Sequence, residues 1–285
     1  MRLQNEKDEL EEVSTNKELE VARANQRAWN YWGSTWRFER KNRPLEPHVV
    51  RLMKMRTLTY RKAYLEIISS LQGLKAKTAV DIGCGTSDYI KWLADDCKRL
   101  VGVDISVEML KLCREDLQKS IELVAADALH LPFKDEAFDV STTFQALHHF
   151  PDWKKALGEM VRTSKQVSLY EPNGDSFLHR LMHLIRKYFR VERRFKQTEE
   201  DYSLVEFQAS GFHQRRIVEY LQSENVDAKV FMFGIIPVSI LEKISTFSSM
   251  LLRSVLMVEE LFGRVPILRN QLGDMLLIGW KQNIE

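Results

Sequence analysis

Apolar and polar positions change period along the chain. From His48 to Ser70 the apolar residues Val49, Leu52, Met53, Tyr60, Ala63, Tyr64 and Ile67 recur at helical spacing, and Leu71-Gln72-Gly73 terminates the pattern. From Thr78 onward short apolar runs alternate with amphipathic stretches. Runs at Thr78 to Asp81, Arg99 to Asp104, Ile121 to Ala126, Phe138 to Phe144 and Gln166 to Tyr170 read as buried strands. The stretches Ser87 to Asp95, Val107 to Lys119 and Pro151 to Arg162 read as helices. Ser106 is a good N-cap for the second of these, with Glu108 in its first turn, and Pro151 suits the start of the third. Such alternation predicts a parallel sheet with helices on both faces.

Beyond Pro172 the alternation stops. Ser176 to Phe189 is an amphipathic helix pattern, with Phe177, Leu178, Leu181, Ile185, Tyr188 and Phe189 opposite Arg180, Arg186, Lys187 and Arg190. Phe212 to Ser223 reads as a helix with Ile217, Tyr220 and Leu221 inward. Ala228 to Phe233 and Met275 to Trp280 read as late strands, and an apolar stripe at 237–263 reads as helical. At the other end, residues 1 to about 20 are rich in Glu, Lys and Asn and read as a frayed helix or disordered tail.

Composition narrows the class. The 285 residues are 44% apolar and 29% charged, the balance of a soluble globular protein, and the net charge of +2 selects no partner. The three cysteines, Cys84, Cys97 and Cys113, contain no CxxC pair, which argues against a disulfide framework or zinc ribbon and for a reducing cytosol. The N-terminus lacks the apolar core of a signal peptide, and no uncharged apolar stretch is long enough to span a membrane. The expected location is cytoplasmic.

The candidate chemistry gathers where the predicted strands end. Val80-Asp81-Ile82-Gly83-Cys84-Gly85-Thr86 is a strand, an acid and a Gly-x-Gly turn. Asp88 stands where a dinucleotide fingerprint needs its third glycine, which disfavours NAD and FAD. Asp104 ends the next strand, 19 residues after Gly85, where a carboxylate can accept both hydroxyls of a ribose. Asp127-Ala128 follows the third strand, where a carboxylate can accept an adenine amino group. Three acids after three successive strands, without a cationic phosphate clamp, suit a nucleoside that carries no phosphate.

With Val101-Gly102-Val103-Asp104-Ile105-Ser106, Ala126-Asp127-Ala128-Leu129-His130-Leu131-Pro132-Phe133 and Phe138-Asp139-Val140 through Ala146-Leu147-His148-His149-Phe150, the chain resembles the class I S-adenosylmethionine-dependent methyltransferases over about residues 75–175. Within them it is most similar to the type 11 group, which includes the ubiquinone/menaquinone-biosynthesis C-methyltransferases. The resemblance implies a three-layer αβα Rossmann-like fold with a seven-stranded, mostly parallel sheet and a reversed last strand. It implies S-adenosyl-L-methionine as cofactor and S-adenosyl-L-homocysteine as product. By position it assigns Asp81, Gly83, Cys84 and Gly85 to the methionine side, Asp104 to the ribose, Ile105 to the face of adenine, and Asp127 and Ala128 to its edge. Gln145 faces the methionine part or the acceptor. Met109 fits either the adenine face or the helix core.

The corresponding organisation is an acidic flexible tail (1–22) and an N-terminal helical lid (23–74). The cofactor-binding core comprises 75–175, 204–235 and 272–285, under a helical cap formed by 176–203 and 236–271. A base is needed only if the acceptor must lose a proton, and His148, His149, Tyr31 and Glu171 are the candidates. Tyr31 lies in the segment Trp29 to Trp36, which holds three tryptophans and this tyrosine. That segment either anchors an N-terminal helix on the body or forms a lid over a ligand. His179 and His183 are four residues apart but lack an acidic or cysteine partner at metal-site spacing, so no metal is expected.

The apolar cap favours a small-molecule or lipid-like hydrophobic acceptor. Residues 176–196, basic and amphipathic, permit peripheral membrane contact or an ordinary cap helix. An RNA or protein methyltransferase is the alternative, disfavoured by the absence of a nucleic-acid module and by Phe144-Gln145-Ala146-Leu147 where an Asn-Pro-Pro-Tyr-like signature would stand. A non-catalytic cofactor-binding module is the other, and the intact Asp81, Gly83, Gly85, Asp104 and Asp127 argue against it. The sequence leaves oligomeric state open.

Overall fold

The computed structural model describes residues 18–34, 66–67, 77–86, 88–117, 121–177, 180–181, 211–233, 261, 265 and 272–282. The expected tail before residue 18, most of the helix at 48–70, the greater part of that at 176–189 and nearly all of the 237–263 stripe lie outside the described residues.

The helix α1 covers residues 18–34. The alternating unit follows as β1 (Thr78–Ile82), α2 (Asp88–Asp96), β2 (Arg99–Asp104), α3 (Val107–Asp116), β3 (Glu122–Ala125), β4 (Phe138–Phe144), a single 3₁₀ turn (Leu147–His149), α4 (Trp153–Thr163) and β5 (Ser164–Pro172). Then come α5 (Gln214–Ser223), β6 (Val226–Phe233) and β7 (Asp274–Lys281). β5 is longer than its apolar run predicts, because β4 pairs with it from Ser164 and β7 pairs with it through Pro172. Pro151 stands ahead of α4 instead of inside it, and the cap is Asp152, whose side chain accepts from Lys154 and Lys155 backbone N–H groups.

The seven strands form one sheet in the order β3-β2-β1-β4-β5-β7-β6. β1 to β5 are parallel, and β7 runs antiparallel to both β5 and β6. This is the three-layer Rossmann-like fold with a reversed last strand.

One face is covered by α4 through Trp153, Ala156, Leu157, Met160 and Val161, and by α5 through Ile217 and Leu221. The other buries Tyr89, Ile90 and Leu93 of α2 with Ala79, Val140 and Ile278 of the strands. A fully buried Leu or Ile of this kind stabilises by about 1.5–3 kcal/mol. Strand order reverses between β1 and β4, and in an open α/β sheet the crevice at such a point is where ligands bind. Among the described residues, no helix is long and apolar enough to cross a membrane.

Candidate functional site

The site is built on the turn after β1. Gly83 and Cys84 both donate their backbone N–H to Val103 O, at 2.8 and 2.9 Å, which ties the turn to β2. Gly83 and Gly85 have φ of 70° and 47°, where a side chain is disfavoured. Their surroundings differ. A Cβ on Gly83 would lie 2.6 Å from Ala146 Cβ and 3.2 Å from the Phe150 ring, whereas one on Gly85 would meet nothing nearer than Asp104 Oδ2 at 4.0 Å. Gly83 therefore lets the loop after β4 pack against the turn, and Gly85 alone leaves open space above it. Cys84 turns its side chain into the core toward Gly102. Both Gly83→Ala and Gly85→Ala carry left-handed backbone strain, and Gly83→Ala is expected to cost about 1–3 kcal/mol more through overpacking, while Gly85→Ala has room for its methyl. Chemical denaturation of the two variants checks this; a Gly83 variant as stable as wild type would refute the packing.

The acids at the strand ends are unevenly committed. Asp81 is 1% exposed. Its Oδ1 accepts from Thr142 Oγ1 at 2.8 Å, while its buried Oδ2 has no hydrogen-bond partner. Burial pushes the Asp81 carboxyl up to about 7, with the Thr142 hydrogen bond opposing and the nearby Asp104 adding. Asp104 Oδ2 accepts from Gly85 N at 2.9 Å and Oδ1 from Ser106 N at 2.8 Å. Burial pushes it up to about 6, against those two N–H bonds. Asp127 Oδ1 accepts from Leu129 N at 2.9 Å, closing its own turn, and Oδ2 lies 3.8 Å from His130 Nδ1. Ala128 packs its side chain into the core, and Met109 is buried beneath the Ser106 cap.

α1 lies across the β2 end of this site. Gln26 Nε2 donates to Ile105 O at 3.0 Å. Asn30 Oδ1 accepts from Ser106 Oγ at 2.8 Å and Glu108 N at 3.2 Å. Between them Trp29 meets His149 edge to face, 4.9 Å between ring centroids. Tyr31 is 46% exposed, and Trp29 is an aromatic of this segment whose ring meets a histidine. Gln26 and Asn30 were not singled out from sequence. Their signal was present, since two amides four residues apart flank a tryptophan and so share one helix face.

The loop after β4 supplies the opposite wall. Gln145 has φ of 57°, and its side chain donates to Asp274 Oδ1 at 3.3 Å, with Tyr170 Oη donating to Asp274 Oδ2 at 2.9 Å. The Gln145 side chain is thus engaged by β7. Glu171, fully buried, accepts from Ala146 N and Leu147 N on Oε1, at 3.0 and 2.8 Å. Its Oε2 lies 2.6 Å from His148 Nδ1, and the His148 and His149 rings are 3.9 Å apart. Among the described residues, no group of three or more His, Cys, Asp or Glu could hold a metal ion. His179 and His183 lie outside those described in side-chain detail.

Residues 80–169 match the family model described as a methyltransferase domain. A demethylmenaquinone methyltransferase of Bacillus cereus is 29% identical over 195 residues, covering 62% of this chain and 81% of the relative. The YcgJ protein of Bacillus subtilis shares the fold with a TM-score of 0.54 at 16% identity, over 78% of this chain and 99% of that one. The magnesium protoporphyrin IX methyltransferase of Synechocystis PCC 6803, with S-adenosylhomocysteine bound, has a TM-score of 0.52 at 14% identity, over 90% and 98% of the two chains.

Proposed function

Because the chain is a class I S-adenosylmethionine-dependent methyltransferase, its methyl donor is fixed, and we propose that the acceptor is a small or lipid-like hydrophobic molecule of the quinol type. The observation that carries this is the edge-to-face contact of Trp29 with His149, on the loop that packs against the glycine turn through Ala146 and Phe150. The relative named for demethylmenaquinone, of which the match covers 81%, supports it.

The residues present fit the donor. The unpartnered Oδ2 of Asp81 calls for a hydrogen-bond donor, which an amino-acid ammonium supplies directly or through an ordered water. The open space over Gly85 admits a ligand that a side chain would displace. Asp104, one backbone N–H on each oxygen, keeps lone pairs for ribose hydroxyls. Ile105 and Met109 would flank the adenine, with Asp127 and the Ala128 backbone at its edge; Gly83 and Cys84 shape the turn.

When bound, the sulfonium supplies an electrophilic methyl group. The chain's part is alignment and the exclusion of water. α1, tied to Ile105 and Ser106 through Gln26 and Asn30, would close the donor side as a lid, and the 145–150 loop would hold the acceptor side. A lipid-like acceptor would arrive from a bilayer surface. Phe177 and Leu181, 62% and 38% exposed, support such contact, in a stretch whose sequence from 176 to 196 holds Arg180, Arg186, Lys187, Arg190, Arg193, Arg194 and Lys196 against a single acid, Glu192.

The test is methyl transfer from labelled S-adenosylmethionine to a panel: a dithionite-reduced 1,4-naphthoquinone bearing a short isoprenoid, catechol, a primary arylamine and mixed RNA. Label on the naphthoquinol is the expected result. Label on RNA or amine alone would overturn the proposal.

A further inference from the structure

We infer that His148 is the proton acceptor of the reaction and Glu171 the residue that positions it, so that the group methylated is one that must first lose a proton, an aromatic hydroxyl or a carbon activated by one. This rests on the reading of the chain as a quinol-type methyltransferase and goes beyond it by assigning the proton.

Glu171 sits at 0% exposure near the end of β5, two strands from the glycine turn. Oε1 is held by the backbone N–H groups of Ala146 and Leu147, which fixes the carboxyl group in place. Oε2 is then left facing His148 Nδ1 at 2.6 Å. A carboxylate only accepts hydrogen bonds, so the imidazole proton belongs on Nδ1 and Nε2 carries the lone pair. Among the described residues, Nε2 has no hydrogen-bond partner, and the side chain keeps 14% exposure. The loop that carries this ring packs on Gly83 through Ala146 and Phe150, so a bare imidazole nitrogen belongs to the loop that borders the donor turn. Among the described residues, the titratable groups facing His148 are Glu171 from β5 and His149 from its own turn.

A wholly structural role would be complete once Glu171 held the loop. The two backbone bonds already do that, and His148 adds an oriented ring. The step balances simply. The acceptor's hydroxyl proton passes to His148 Nε2. The electron pair so freed forms the new bond to the methyl carbon, either from oxygen or through the ring carbon it activates. The carbon–sulfur bond breaks with its pair remaining on sulfur as a neutral thioether. The imidazolium, stabilised by Glu171, then returns its proton to water; after attack by carbon, loss of the ring proton restores the aromatic system.

The experiment uses the full chain, with Glu171→Gln and His148→Ala. Glutamine keeps an acceptor for the two backbone N–H groups but presents an amide donor to Nδ1, which forces the proton onto Nε2. We expect both variants to melt near wild type and to bind S-adenosylhomocysteine with wild-type affinity. With the naphthoquinol and catechol probes, kcat should fall by about 10²–10⁴-fold at neutral pH. The gap should close at a pH above the probe's own ionisation, near 10 for a phenol. Wild-type kcat and an unchanged pH profile in both variants would overturn the inference. If Glu171→Gln fails to fold, His148→Ala decides alone. If the wild-type protein methylates none of the hydroxyl probes, the acceptor reading has failed and the pair is judged separately. A long-range ¹H–¹⁵N spectrum, assigned by the signals lost in His148→Ala, supports it if Nδ1 is protonated and Nε2 bare, and overturns it if the tautomer is reversed.

Discussion

Asp104→Ala should weaken S-adenosylhomocysteine binding by at least ~100-fold and also lower the melting temperature of the free protein. Two causes act together. In its proposed role the carboxylate accepts two ribose hydroxyls, and hydrogen bonds to a charged group contribute about 1.5–3 kcal/mol each, so losing both removes on the order of 3 kcal/mol or more. The same carboxylate also builds the site. Its removal leaves Gly85 N and Ser106 N without the partners they have now at 2.9 and 2.8 Å, and each orphaned N–H costs about 1–3 kcal/mol where water cannot replace it. The position has a pH signature as well. Burial holds the Asp104 carboxyl up at about 6, so below that pH the protonated form dominates and one acceptor oxygen becomes a donor. Affinity should therefore fall by roughly tenfold per unit once pH drops below about 6. Calorimetric titration between pH 5 and 8 measures both effects. Alanine at position 104 with wild-type affinity, or a flat wild-type profile, would remove Asp104 from the ligand-binding set.

What could be read in advance follows the range of the interactions. The turn at 80–86 and the acid at 104 announce themselves because a buried strand, a carboxylate and glycines are adjacent in sequence and their geometry is local. That the first strands run parallel follows from alternation alone. Roles set by long-range packing were not legible. Gly83 and Gly85 look equivalent in sequence, yet Gly83 makes room for Ala146 and Phe150, more than sixty residues on. Gln145 reads from sequence as facing the methionine part or the acceptor; that its amide also holds Asp274, 129 residues away, follows only from the antiparallel register of β7. Glu171 was one candidate base among four. Its 2.6 Å approach to His148 depends on the β4–β5 pairing and on the left-handed Gln145, neither of which has a composition signal. Trp29 is one of several aromatics in its segment, and only the docking of α1 brings its ring against His149.

Asp81→Asn should make the free protein more stable above neutral pH while weakening its hold on the donor. The sign follows from the direction of the shift. Burial raises the Asp81 carboxyl from 3.8 to about 7 in the folded protein. The folded state therefore binds this proton more tightly than the unfolded chain does. The stability this gives is fully present below the unfolded value and is lost as pH rises toward and through 7. At pH 8 a shift of about three units corresponds to a burden of up to ~4 kcal/mol for holding the charge. Asparagine has nearly the same shape, still accepts from Thr142 through its Oδ1, and never ionises. Its melting temperature should then exceed that of wild type at pH 8, by roughly 2–4 °C per kcal/mol recovered, and the two curves should converge near pH 4. Asp104 does not cancel the difference, because its own raised carboxyl destabilises both proteins in the same direction as pH rises. The cost appears on binding. The unpartnered Oδ2 is the group that would meet the donor's ammonium or a water bound to it, and an amide nitrogen there offers a donor to a donor. Affinity for S-adenosylmethionine should fall by at least ~10-fold, since a charge-assisted hydrogen bond contributes about 1.5–3 kcal/mol. Thermal melts across pH, paired with titration calorimetry, separate the two halves. A stabilisation independent of pH would mean that Asp81 does not titrate in this window. Stabilisation with unchanged affinity would mean that its strain serves the fold of the turn rather than the donor.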